Sequence, residues 1–315
     1  MINVRNQSIG VYKLNILLAG GNGFIGSHIY ARFESTCSII SLDNSPSPGV
    51  NNSVWLNLSD SNKVQTYVEN IDSNIDVVIF LVGLAHAKGK GAELEVFRSV
   101  NFQTLVNLLQ AFEKVNKLPG KIIFASTISV YGERYYQREY DESLQPAPFS
   151  PYAVTKFEAE KYLLDNYANC SWLLRFAPVY SKKFTLNIDR RTKIKDYFYK
   201  VGNGKNQLSL CNIDNIMQAV DGIIEDKVPP GVYNISDPVE YTYKDLLSMQ
   251  DAKNALRIPK VTLWFVYILG KLIKNIFLIE NSTKLTTSNI FPSMKIRSYV
   301  DLKATITNVN KHHVQ

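Results

Sequence analysis

Tyr152 and Lys156 stand one helical turn apart, at a spacing that lets two side chains share one proton-transfer task. A free phenol titrates near ~10 and is a poor base at neutral pH. A lysine ammonium four residues on lies on the same helical face and stabilises the phenolate. Tyr152 could then take a proton from a hydroxyl group. The spacing alone is weak, because the chain has 18 tyrosines and repeats it at Tyr267/Lys271 and Tyr299/Lys303. Only Tyr152 follows a hydroxyl-rich cluster, Ser126-Thr127-Ile128-Ser129, at the end of an apolar run. From there the Thr127 hydroxyl could hydrogen-bond the reacting oxygen.

A second constellation is Gly20-Gly21-Asn22-Gly23-Phe24-Ile25-Gly26, with glycines at 20, 23 and 26 after a strand-like run. Glycine serves where the chain turns sharply and where backbone must approach a pyrophosphate. A helix opening at Phe24 and Ile25 would offer free N–H groups and a partial positive charge. In Leu42-Asp43-Asn44, Asp43 can accept both hydroxyls of an adenosine ribose. It would repel the additional phosphate of NADP, and no arginine follows at once, so NAD is favoured over NADP. The local alternative is a turn-forming Asp43 ahead of Ser45-Pro46.

The elements that must position these groups follow from periodicity. Strands are expected at 15–19, 38–42, 77–82, 121–125 and 172–176, and helices at 24–33, 92–115 and 151–166, the last with Pro151 at its start. Strands alternating with helices imply an α/β fold, a Rossmann-type doubly wound parallel sheet. Past Pro178 the rhythm breaks into short elements among crowded basic residues. The expected division is a dinucleotide-binding domain over 1–178, with a later contribution from about 206–236. A smaller, partly interleaved C-terminal α/β substrate domain then takes 179–205 and 237–315.

The net charge is +7, and from Lys260 onward eight basic residues face two acidic ones. No nucleic-acid reading module accompanies that charge, so nucleic acid is not an expected partner. Cys37, Cys170 and Cys211 are odd in number and lack metal-ligand spacing, which reads as reduced thiols in a cytoplasmic protein. His312 and His313 lie in a polar tail, and no metal is expected. Residues 1–13 do not read as a signal peptide. The apolar stretch 263–279 is too short and too charged for a membrane span. It reads either as a buried helix of the small domain or as a helix lying on a membrane surface, helped by the basic tail.

These motifs together resemble the NAD-dependent epimerase/dehydratase family, the extended short-chain dehydrogenases. The likeness is carried by 20–27, Leu42-Asp43-Asn44, 78–83, Val100-Asn101, 124–132, 150–156 and 175–180. The resemblance implies that Gly83 and Phe80 flank the cofactor and that Pro178, beyond the last strand, borders it with Asn44. It puts Asn101 beside the catalytic lysine and Leu58 near the adenine, although this chain has Asn57-Leu58 where the family often has Asp-Leu. It also implies a homodimer through helices 92–115 and 151–166.

Dehydratases of the family carry Asp-Glu directly after the catalytic threonine, and a decarboxylase would want Glu there too. Here Ile128-Ser129 follow Thr127, which leaves a nucleotide-sugar 4-epimerase or a 4-keto-6-deoxy sugar-nucleotide reductase. The C-terminal half resembles, more loosely, the members used in surface-polysaccharide synthesis, over 175–180, 209–216 and 284–295. That subgroup often has an arginine before the strand at Ser209, whereas this chain reads Asn206-Gln207-Leu208. Arg190 or Arg191, with Asn187 nearby, is expected to grip the substrate pyrophosphate instead. Arg190 and Arg191 could equally be solvated helix-face charges. A non-sugar ketone reductase is a further alternative. A non-catalytic NAD-binding module fits less well, since such a protein would be free to lose the Tyr152/Lys156 pair.

Overall fold

The computed structural model describes residues 13–45, 50–85, 93–132, 137–252 and 254–306. The chain runs β1 (Asn15–Ala19), α1 (Phe24–Phe33), β2 (Ser38–Asp43), β3 (Ser53–Trp55), α2 (Ser61–Glu69) and β4 (Val77–Phe80). It continues with α3 (Leu94–Arg98), a π-helical turn (Ser99–Gln103), α4 (Thr104–Lys114), β5 (Lys121–Thr127), α5 (Pro151–Tyr167) and β6 (Ser171–Phe176). Shorter elements follow: β7 (Val179–Tyr180), α6 (Leu186–Thr192), β8 (Lys193–Ile194), β9 (Tyr197–Val201), β10 (Gln207–Leu208) and β11 (Cys211–Asn212). The last are α7 (Ile213–Ile224), β12 (Gly231–Ile235), β13 (Tyr241–Thr242), α8 (Tyr243–Met249), β14 (Leu256–Ile258), α9 (Lys260–Leu272), α10 (Ile276–Thr286) and α11 (Met294–Arg297).

Seven strands form one sheet in the order β3-β2-β1-β4-β5-β6-β12. Every pairing in it is parallel, as in Ala19 with Leu42 and with Phe80, and Thr127 with Phe176. Such a sheet must be covered on both faces, and its strands read as near-continuous apolar runs. Two cores result. Ile16, Leu18, Ile79 and Leu174 pack toward α1 and α7, and Leu17, Val78, Phe80 and Leu173 toward α2, α4 and α5. The order reverses beside β1, so a crevice opens where the chain leaves β1 and β4. A third, smaller core gathers Tyr180, Ile188, Leu208, Leu210, Tyr241, Tyr243, Leu246 and Ile306 from the later elements.

Five of the seven sheet strands lie where periodicity expects them, within two residues at their ends, and β3 and β12 lie outside the expected strands. β4 stops at Phe80, not Val82, and β5 continues to Thr127. The expected helix 92–115 is interrupted by the π turn, which shifts register by one residue and turns Asn101 inward. Residues 263–279 form neither one helix nor a buried one. Lys274 takes a left-handed φ of 52°, and the side chain of Asn275 caps α10. The resulting α9–α10 hairpin keeps most of its large apolar side chains in solvent. The three cysteines are free thiols.

Candidate active site

The turn after β1 is built on glycine because nothing else fits. Gly20 has φ 90°, and its N–H donates to the Leu42 carbonyl at 2.8 Å. A Cβ on Gly26 would lie 2.4 Å from the Gly20 oxygen and 2.7 Å from the Gly21 Cα. One on Gly21 would collide with the Ser41 hydroxyl. Helix α1 is thereby drawn down onto the sheet. Its N-cap, Gly23, offers no side-chain cap, so the N–H groups of Phe24, Ile25 and Gly26 begin the helix without an intrahelical partner. Gly23 is exposed, with Phe24 and Ile25 half-buried beside it. These bare amides form a cradle that a side chain would fill, and it suits the phosphates of a dinucleotide.

Asp43 ends β2 beside that turn. Its carboxylate accepts the Asn22 N–H at 3.0 Å and the Asn44 N–H at 2.8 Å. Asp43 thus orders the turn, the local alternative, and remains half-exposed beside it. Asn44 is exposed, and its carbonyl accepts the Trp55 indole N–H at 2.9 Å. Leu58 is buried, its carbonyl held by the Asn107 amide at 2.9 Å. Phe80 is fully buried with its ring stacked on Phe124, so its side chain belongs to the core. The Pro178 carbonyl accepts the Cys211 N–H at 3.1 Å, between the ends of β6 and β7.

Helix α5 starts at the other lip. The Ser150 hydroxyl accepts the Ala153 N–H, and Pro151 occupies the first turn, where its missing N–H costs nothing. Tyr152 follows, half-buried. Burial pushes its phenol above the usual value, and a hydrogen bond with Thr127 opposes that shift. One turn on, Lys156 is 3 % exposed and donates to the carbonyls of Val82 at 3.1 Å and Ala125 at 2.9 Å. Its ammonium lies 4.7 Å from the centre of the Phe124 ring. Burial pushes it down to about 7, against the attraction of Glu160. Gly83 makes room here, since a Cβ there would stand 3.2 Å from the Lys156 nitrogen. Asn101 binds both groups of Leu84, accepting its N–H at 2.6 Å, and donates to the Thr155 hydroxyl at 3.0 Å. The π turn therefore ties the loop after β4 to the helix that carries Tyr152 and Lys156.

A buried polar network of this region escaped the sequence reading. Glu160, one turn beyond Lys156, is fully buried and accepts from the Arg175 guanidinium at 2.6 and 3.0 Å, and from the Ser126 hydroxyl. Arg175 in turn lies 4.7 Å over the Tyr131 ring. An arginine inside Ser-Trp-Leu-Leu-Arg175-Phe, and a glutamate on the helical face shared by Tyr152 and Lys156, are the signals that could have found it.

Asn187, Arg190 and Arg191 lie on α6, not on the elements that carry Thr127, Tyr152 and Lys156. The Asn187 amide donates to the Val179 carbonyl at 2.8 Å, and Arg191 donates to the Asn187 carbonyl at 2.6 Å. Arg190 is exposed. Phe184, just before α6, stacks on Phe24 at 4.3 Å between ring centres, so α6 leaves from the rim of the glycine turn.

A family model, that of the NAD dependent epimerase/dehydratase family, matches residues 16–236. The chain is 26 % identical over 269 residues to N-acetyl-α-D-glucosaminyl-diphospho-ditrans,octacis-undecaprenol 4-epimerase of Escherichia coli O157:H7, covering 82 % of this chain and 77 % of that one. It is 29 % identical over 163 residues to UDP-glucose 4-epimerase of Neisseria meningitidis serogroup C, covering 48 % of this chain and 47 % of that one. Among solved structures, UDP-glucuronic acid 4-epimerase from Bacillus cereus in complex with NAD superposes with a TM-score of 0.70 at 19 % identity, over 94 % of each chain.

Proposed function

Since the chain belongs to the NAD-dependent epimerase/dehydratase family, we propose that it inverts C4 of a nucleotide-linked hexose through a transient 4-keto sugar. The observation that carries this reading is the convergence of Thr127, Tyr152 and Lys156 beside a glycine turn, at the carboxyl ends of β1, β4 and β5. The 4-epimerases among the relatives support it. Gly20, Gly23, Gly26 and the amides of Phe24 and Ile25 would hold the phosphates of NAD, and Asp43 its adenosine ribose. When bound, NAD supplies the reversible two-electron acceptor for the sugar C4.

The chain's own residues handle the proton. The Tyr152 phenolate accepts it from the C4 hydroxyl and returns it when the opposite face of the keto sugar is reduced. Lys156, fixed by two carbonyls, favours the phenolate by its charge. Thr127 holds the reacting oxygen within reach of Tyr152. Residues 179–205 and 237–315 would supply the substrate side, with Arg190 or Arg191 on the diphosphate and Asn187 fixing α6. Val96 and Leu164, exposed on α3 and α5, are apolar surface that a homodimer would cover. The free cysteines suit a cytoplasmic site.

A second reading keeps the chemistry and changes the carrier, with a polyprenol in place of the nucleoside. The name of the Escherichia coli relative supports it, and so does the outward apolar face of residues 263–279, which would let the enzyme meet a membrane.

The test is incubation of the purified protein with UDP-hexoses and UDP-N-acetylhexosamines, with the products resolved by chromatography. C4 interconversion without net cofactor consumption is expected. Consumption of NADH or NADPH with a 4-keto-6-deoxy sugar nucleotide, and no epimerisation, would replace this reading by the reductase. Turnover confined to a polyprenyl-diphosphate sugar would select the second carrier.

A further inference from the structure

Helices α9 and α10 form an antiparallel hairpin closed at Gly270, where a Cβ would lie 3.0 Å from that of Leu278 and 3.1 Å from Ile279. This close contact uses only the inner side of α9. At about 100° per residue, Val261, Trp264, Phe265, Ile268, Leu269 and Leu272 fall on the opposite side, in one continuous stripe. Phe265 is 63 % exposed, Leu272 76 % and Trp264 45 %. At the hairpin tip Ile273 and Phe277 are exposed as well, Phe277 at 71 %. Scattered apolar residues on a surface are ordinary, but a contiguous aromatic and aliphatic face marks a binding surface.

The charge beside the face identifies its partner. Lys260, Lys271 and Lys274 are exposed along its edge and at its tip. The one acid between residues 260 and 286 is Glu280, which is buried and paired with Lys284. The hairpin segment itself therefore carries no exposed carboxylate. A second copy packed face to face would bring three lysines against their own copies. A bilayer with anionic headgroups instead accepts apolar side chains at the acyl boundary and ammonium groups in the headgroup layer. Among the described residues no helix is long and apolar enough to cross a membrane, so the contact is a surface one.

We infer that the α9–α10 hairpin docks this protein on an anionic lipid bilayer, with Trp264, Phe265, Leu272 and Phe277 entering the interface and Lys271 and Lys274 meeting the headgroups. The inference goes beyond the epimerase reading and does not depend on it.

Flotation of the full chain, loaded with NAD, on vesicles tests it. Co-flotation is expected with phosphatidylcholine–phosphatidylglycerol vesicles, weakening as salt is raised. Phe265→Glu/Phe277→Glu should cut the partition coefficient roughly tenfold or more while keeping the wild-type melting temperature. Lys271→Glu/Lys274→Glu should abolish the preference over pure phosphatidylcholine. Failure of the wild type to float on either vesicle would overturn the inference. So would a wild-type oligomer in sedimentation that Phe265→Glu/Phe277→Glu dissolves without lipid. Because the readouts are flotation and melting, loss of the epimerase reading would leave this result standing.

Discussion

Replacing Tyr152 by Phe removes one oxygen from the crevice and leaves Ser150 and Pro151 to start α5 as before. We expect kcat for C4 interconversion to fall by about 10²–10⁴-fold, the usual worth of a positioned proton-transfer group, with NAD affinity and melting temperature unchanged. A titration of NAD beside a steady-state assay checks this, and a fall in kcat under tenfold would remove Tyr152 from the proton-transfer role. The placement of Tyr152 and Lys156 on one helix and of Thr127 at a strand end was legible because a helical turn and a strand end are local features of a sequence. The pairing of Ser126, Glu160 and Arg175 was not, because it joins β5, α5 and β6 across the fold. Asn101 was reached only through family likeness. Its actual partners, Leu84 and Thr155, depend on a π turn that periodicity reads as plain helix.

At the scale of elements, the contact between α5 and β6 is made by a buried ion pair. Arg175 is 3 % exposed and Glu160 fully enclosed, so each charge depends on the other. Glu160→Gln should destabilise the fold by about 3–5 kcal/mol, because it strands a guanidinium away from water. Glu160→Leu combined with Arg175→Met should cost much less, since it removes both charges together. Urea denaturation of the three proteins decides, and equal losses in the single and double variants would show that packing, not charge, dominates. Five of the seven sheet strands were legible within two residues at their ends, because parallel strands buried on both faces are apolar throughout; the edge strands β3 and β12 were not. The α9–α10 hairpin was not. An apolar run of that length signals burial, and only the left-handed Lys274 and the Asn275 cap divide it.

For the molecule as a whole, Asp237 is the point where the later elements meet the sheet. Its carboxylate accepts from Tyr180 of β7 at 2.6 Å, Tyr241 of β13 at 2.8 Å, the Asn212 N–H of β11 at 2.6 Å and the Asn215 amide of α7 at 2.7 Å. Burial outweighs these donors and raises Asp237 to about 6. The folded protein therefore holds a proton at pH 5 that the unfolded chain has largely released. The stability from this site is complete below ~3.9, the unfolded value, and is lost as pH rises through about 6. The melting temperature of the wild type relative to Asp237→Asn should thus be higher at pH 5 than at pH 7. A difference that stays constant across that range would show that Asp237 does not titrate there.

The position of β12 has a consequence for biosynthesis. Gly231–Ile235 pairs with β6, a strand that ends at Phe176, after more than fifty intervening residues have been made. Until they emerge from the ribosome, β6 is the open edge of a nearly finished sheet, with Leu173 and Leu174 along it. Such an edge recruits stray strands from other chains. The nascent chain is thus most exposed to aggregation after its glycine turn and Tyr152 have been made, and chaperone protection matters most in the interval before residue 235 appears.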